Sequence, residues 1–375
     1  MKHSTRVILL MVYFVFCSVT GIKAVRNISF PLRPICGDSL ELEDFFWNGV
    51  LEKIHSKWSN LNPIKYGINK IKGKEVVKLD KEWEKDLRKC SLTGSPQGEE
   101  GTDKGALKAI ETAQRSAKLL FLTGQSKYAE LLERTLYNEV CAAVYDTLQC
   151  TCQKKAAEAL MDIKSLAYAT SGSHVFVNFF LRGDTHIKTD SIDIHIRLVG
   201  SMPWYNQMMF VVFTDHPGQH LTFHLRMPLW LGGQNILPGY EFKTKKERVQ
   251  LSLNGVNQKI QLENGYVVIE RVWTDKDVLH YTLPSPVLRV TRIDDSTSMA
   301  IQRGALIYNF ATLAESNAVS DKDAVGNVFD TPNHQMILST KSYDSSGAEQ
   351  GKFEIWPFFN HRMLGRTRLW APLVH

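Results

Sequence analysis

The spacing of apolar residues changes once along the chain, near residue 170. Before it, apolar side chains recur at three- and four-residue intervals, the period of one helix face. Val50, Leu51, Ile54 and Trp58 form the first such stripe, behind Phe45-Phe46-Trp47. Trp83 and Leu87 lie four apart within the charged stretch Lys81–Lys89, which predicts a short helix with a solvated charged face. Residues 91–105 are rich in Gly, Ser and Pro and predict a loop or linker. Ala106, Ile110, Ala113, Ala117 and Leu120 then mark one helix, and Tyr128, Leu131, Leu132, Leu136 and Val140 a second. Gly124 between them is placed as a C-terminal cap. A third runs from Ala156 to Leu166, with Leu160 and Ile163 inward.

After Ser171-Gly172-Ser173 the period becomes two, and strands are predicted at Val175–Leu181, Ile192–Leu198, Met208–Phe213, Leu221–Met227 and Val249–Leu253. Others follow at Tyr266–Val272, Val278–Leu283, Met299–Tyr308 and Phe353–Trp356, with turn signals at Asn254-Gly255 and Asn264-Gly265. Many short strands without intervening helices predict antiparallel sandwiches. The expected class is α+β, with a helical region over 25–170, a β-sandwich over 171–310 and a C-terminal β region over 311–375 that packs with it.

Residues 1–24 have the form of a secretory signal: basic Lys2, His3 and Arg6, an apolar run Val7–Phe16, and small Ala24 at the expected cut. The run is shorter than the ~20 residues of a spanning helix, and no later segment approaches that length. A secreted or periplasmic location follows as the expectation. The full chain of 375 residues carries 45 basic and 39 acidic side chains, a net +6. Cleavage after Ala24 removes Lys2, Arg6 and Lys23 and no acid, leaving +3. That is too little for the basic stripe of a nucleic-acid binder. After cleavage five cysteines remain, Cys36, Cys90, Cys141, Cys150 and Cys152, an odd and sparse set that makes no disulfide framework.

Candidate chemistry is thin on spacing alone. His216, His220 and His224 are four apart, but the strand pattern at Leu221–Met227 and the break at Pro217-Gly218 keep them from converging on a metal. His195 is an outward polar position on its strand. Glu99 and Glu100 are acid/base candidates in the glycine-rich loop, and Cys150-Thr151-Cys152 can point two sulfurs at one ion only from a turn. The chain has no nucleophile elbow, P-loop or dinucleotide fingerprint.

Larger strings carry a resemblance. Phe223-His224-Leu225-Arg226-Met227-Pro228-Leu229-Trp230 resembles the LRIPxW signature of glycoside hydrolase family 127, the β-L-arabinofuranosidase-like proteins. In the family's order follow Leu253-Asn254-Gly255, the Gly265–Trp273 strand, Asp275–Leu283 with Pro284, Arg303-Gly304-Ala305-Leu306-Ile307-Tyr308, and Trp356–Arg362 with Leu369-Trp370. Upstream, Leu122–Ala129 through Glu133–Asn138 resembles LTGDxKYADxxERALYN, and Phe46-Trp47 fits the opening FW.

The resemblance implies an (α/α)6 barrel holding the active site, followed by β-sandwiches. It implies a zinc held by one Glu and three Cys, one Cys being the nucleophile, with a separate Glu as acid/base. Zinc holds cysteine as thiolate, the form that attacks, and the glycosyl–sulfur intermediate parallels the retaining mechanism. Carried over residue by residue, the zinc Glu and its neighbouring Cys fall on Gly105 and Leu107. The adjacent Cys pair falls on Thr151-Cys152, so Thr151 stands at the nucleophile and Cys152 is the one surviving metal ligand. The acid/base position matches Glu99, after Gly98. Only 58 residues separate Trp47 from Ala106, too few for most of the barrel. The expectation is therefore an incomplete six-hairpin barrel beside β-sandwiches, without family-type zinc-thiolate catalysis. Zinc is expected only if the cysteine site is remodelled. An arabinose-containing glycan is the partner the resemblance implies. The alternative is a divergent glycosidase using Glu99 or Glu100 with Cys150 or Cys152.

Overall fold

The computed structural model describes residues 28–374, apart from 65–67, 69–70, 72, 147–150, 216–217, 233–235, 244–246, 312, 314–315, 331–335 and 365–366. The expected signal segment, Cys150 and His216 lie outside the described residues. Helices occupy the first part of the chain and three sheets most of the rest, a mixed helical and antiparallel β architecture. Helix α1 is Phe45–Lys57, α2 Gly73–Leu87, α3 Asp103–Thr123, α4 Ser126–Thr135, α5 Cys141–Tyr145 and α6 Cys152–Leu160. Among the described residues no helix is long and apolar enough to cross a membrane.

The helices start and stop for local reasons. Asp44 caps α1 by accepting from the Trp47 N–H at 3.1 Å. Thr102 caps α3, its Oγ1 accepting from Gly105 N–H at 3.0 Å. Gly124 ends α3 at φ +64°, the left-handed conformation expected of it, with its N–H on the Leu120 carbonyl. Helix α4 continues through one π turn, Leu136–Val140, into α5. Helix α2 is longer than the charged stretch that announced it. It buries Trp83, whose indole donates to Ser116 Oγ on α3 at 2.8 Å.

The six-stranded sheet runs Arg33–Pro34, Tyr168–Ser171, His174–Val177, Gln219–Arg226, Tyr266–Trp273, Leu262–Glu263. Its strands are antiparallel except His174–Val177, which runs parallel to Gln219–Arg226. The seven-stranded sheet runs Val256–Asn257, Gln250–Leu253, Asp277–Thr282, Gln207–Phe213, Asp193–Val199, Gly183–Lys188, Leu40–Leu42. The third runs Gly326–Asp330, Met336–Tyr343, Glu349–Pro357, Leu306–Asn309, Ser298–Arg303, Val287–Arg292, Tyr240–Lys243, with Ala371–Pro372 beside Ser298–Arg303. This last sheet takes strands from both sides of residue 310, and two of the others take short strands from the helical region.

Three sequence expectations change. Met299–Tyr308 is two strands, because Gly304 turns the chain between them at φ +58°. The strand expected from Val175 to Leu181 stops at Val177, and the Asn178 N–H instead donates to the Ala167 carbonyl. The loop at 91–105 is not an exposed linker: Ser91, Leu92, Thr93 and Ser95 are fully buried. Helices and sheets share one apolar core.

Candidate functional site

Glu99 sits where the loop turns into α3. One of its carboxylate oxygens pairs with Lys104, and the other is buried without a hydrogen-bond partner. It lines a cleft of about 470 Å³ between α2, the loop and α3. The charges there neutralise one another: Arg115 pairs with Asp86 and Glu82, and Lys108 with Glu111. Among the described residues no aromatic side chain lines the cleft. Glu100 is half-buried in the same loop.

Cys152 does not line this cleft. It is buried at the start of α6 and is disulfide-bonded. Its sulfur lies 3.7 Å from Asp103 Oδ1, and Arg362 joins Asp103, at 2.9 Å, to Asp146. In the disulfide form Cys152 offers no thiolate for attack or for metal. Cys36, Cys90 and Cys141 are free thiols. Among the described residues no group of three or more His, Cys, Asp or Glu side chains is placed to hold a metal ion. His224 instead meets His174 at 3.0 Å inside the six-stranded sheet, and burial pushes its pKa down to about 3. His220 sits beside Glu270, and exposed His195 stacks on His186.

One buried acid escaped the sequence reading. Glu139, on the π turn, is 1% exposed. It accepts from Thr93 Oγ1 at 2.7 Å and from Gly101 N–H at 3.1 Å. The hydroxyls of Ser91, Thr93 and Ser95 lie within 2.9–3.2 Å of one another around it. Burial, helped by the nearby Glu100 charge, pushes its pKa up to about 7 against the pull of these donors. No local pattern in the sequence marks it, because the loop residues that contact it, Thr93 and Gly101, lie 46 and 38 residues away.

The recognisable strings serve the seams between layers. Arg226 is fully buried and ion-pairs with Glu133 at 2.6 Å and Glu130 at 3.5 Å, fastening α4 to the six-stranded sheet. Asn138 donates to the Ala305 carbonyl at 2.9 Å and accepts from the Ile307 N–H at 2.9 Å, completing a strand of the third sheet. Trp47 donates to the Tyr137 hydroxyl, which donates to the Met202 carbonyl. Trp204 packs with Phe46 and Tyr137.

Residues 174–285 match the family described as β-L-arabinofuranosidase, GH127 middle domain. Over those residues the chain is similar to GH127. Its fold is similar to that of the GH127 β-arabinofuranosidase BT3674, with a TM-score of 0.70 and 20% identity over 80% of this chain and 56% of that one. It is similar also to Ara127N, a GH127 β-L-arabinofuranosidase from Geobacillus stearothermophilus T6, at TM-score 0.65 and 17% identity, covering 77% and 55%. A third structure, named only a glycoside hydrolase, gives TM-score 0.62 and 16% identity, covering 77% and 60%. The chain thus spans little more than half the length of these structures. No curated protein sequence matches it.

The GH127 resemblance assigns the zinc Glu to residue 105, and the structure shows what stands there. A Cβ on Gly105 would lie 2.0 Å from the carbonyl oxygen of Glu99. That oxygen is held in place by Thr102, whose N–H and Oγ1 both donate to it. No side chain fits at 105 unless the backbone shifts. Leu107, at the neighbouring Cys position, packs against the core. The residues present do not fit the family's zinc.

Proposed function

We propose that this GH127-like chain is an exported protein without zinc-thiolate catalysis, acting by carbohydrate binding or as a structural relative of the glycosidases. The observation that carries this is Gly105: the zinc Glu position is closed by the backbone of the acid/base candidate, Glu99. Two further points support it. The resemblance puts Thr151 at the nucleophile position, and Cys152 is disulfide-bonded. In this reading the helices are an incomplete (α/α) layer packed beside antiparallel sandwiches. The preserved strings are those that hold the layers together, which explains why they outlast the chemistry. Likeness to named arabinofuranosidases supports an arabinose-containing glycan as the partner.

Zinc analysis and an arabinofuranoside panel test the proposal together. The expected results are no stoichiometric zinc and no turnover. Stoichiometric zinc lost in Cys152→Ala, or turnover abolished in Glu99→Gln, would sink it. The second reading is a divergent glycosidase using Glu99 or Glu100 with Cys150 or Cys152. It is favoured by the buried, unpartnered carboxylate oxygen of Glu99, and turnover sensitive to Glu99 would establish it.

A further inference from the structure

A second groove, of about 650 Å³, opens on the seven-stranded sheet beside the end of strand Ser298–Arg303. Arg182, Trp204, Tyr205, Gln207, His280 and Arg303 line it, and among the described residues no carboxylate does. Its chemistry differs from the Glu99 cleft in two ways.

The first is an uncompensated buried cation. Arg303 is 5% exposed. Its guanidinium donates to the Pro203 carbonyl at 3.2 Å and touches the Met336 sulfur. Among the described residues no carboxylate pairs with it. The other two buried arginines are differently placed: Arg226 sits on Glu133 and Glu130, and the same two acids act on Arg134. A buried cation without an acid is costly, and an anionic ligand would relieve that cost. Arg182 adds positive charge, although Glu43 lies 3.5 Å from it. His280 adds an exposed imidazole.

The second is an aromatic wall with an idle donor. Tyr205 is 42% exposed. Trp204 is 5% exposed, and its buried indole N–H has no hydrogen-bond partner. Aromatic faces with a polar edge suit the mixed apolar and hydroxylated faces of a sugar. A bare inorganic anion would use the charge and ignore the rings.

We propose that this groove binds a uronate unit of an acidic glycan, with Arg303 and His280 facing the carboxylate and Tyr205 contacting the ring. The assignment rests on the carbohydrate-binding reading above and narrows it to a site and a ligand class.

Calorimetric titration of the full chain with trigalacturonate, arabinotriose and inorganic phosphate tests it. Trigalacturonate is expected to bind with an affinity that falls as salt rises, and at least about tenfold more tightly than the other two. Arg303→Gln should weaken it by about 10- to 100-fold, the range for a lost charge-assisted hydrogen bond. Tyr205→Ala should weaken it by about tenfold. If Arg303→Gln does not fold, Tyr205→Ala decides alone, and an unaltered affinity there overturns the assignment. Phosphate binding as tightly as trigalacturonate would reduce the groove to an anion site and overturn the sugar. Equal binding of arabinotriose would overturn the uronate but leave carbohydrate binding standing. Failure of both saccharides would overturn the two together.

Discussion

Replacing Glu139 by Gln should remove a contribution to stability that is lost as pH rises between pH 5 and 8. The carboxyl is buried on the π turn, and its pKa is pushed up to about 7 from an ordinary 4.5. The folded state therefore keeps a proton that the unfolded chain gives up near 4.5, and stability falls as pH rises through that window. The shift of 2.5 corresponds to about 3 kcal/mol in full, and roughly 2–3 kcal/mol of it is lost between pH 5 and 8. Gln is the uncharged isostere and can still accept from Thr93 and Gly101, so its variant has no such term. His174 and His224 work in the opposite sense, since burial lowers their pKa and their contribution fades as pH falls below about 6.5. They are common to both proteins and cancel in the comparison. Urea unfolding at pH 5, 6, 7 and 8 measures it. The wild type should lose roughly 2–3 kcal/mol relative to the variant across the series. Parallel curves for the two proteins would refute the reasoning.

Three other outcomes follow from the same geometry. Gly105→Ala should destabilise the chain by about 1–3 kcal/mol, because the new Cβ meets the Glu99 carbonyl; an unchanged urea midpoint would show that the loop yields freely. Glu133→Gln should cost about 3 kcal/mol by leaving Arg226 buried with only the more distant Glu130, again read by urea unfolding. In a thiol titration Cys36 should react at once in the native protein. Cys90 and Cys141 should react only after denaturation, and Cys152 only after reduction.

Much of the fold was legible because its strands are half-buried. Ile192–Leu198 alternates cleanly, and the structure places that strand at Asp193–Val199 with Ile194, Ile196 and Leu198 inward. Gly183–Lys188 was missed because its inward positions are Gly183, Thr185 and Ile187, only one of them large and apolar. Met336–Tyr343 hides in the same way behind inward Thr340 and Ser342. Most of α2 was missed because it buries only Trp83 and presents charge elsewhere. At the candidate site the register argument found Gly105 and Thr151, since both are local facts of sequence. It could not find Arg303 as a cation with no carboxylate partner among the described residues, or Glu139 as a shifted acid. Those properties depend on which distant side chains arrive beside them, and on which do not.

The two short strands that precede α1 have a consequence beyond their size. Arg33–Pro34 borders Tyr168–Ser171, and Leu40–Leu42 borders Gly183–Lys188. Each is the outermost member of its sheet. They cover rows of backbone N–H and C=O groups that would otherwise stand open to another chain. A fragment begun at Tyr168 to isolate the β portion would lose both covers at once. The segment ahead of α1 should therefore lower the tendency of two molecules to pair edge to edge.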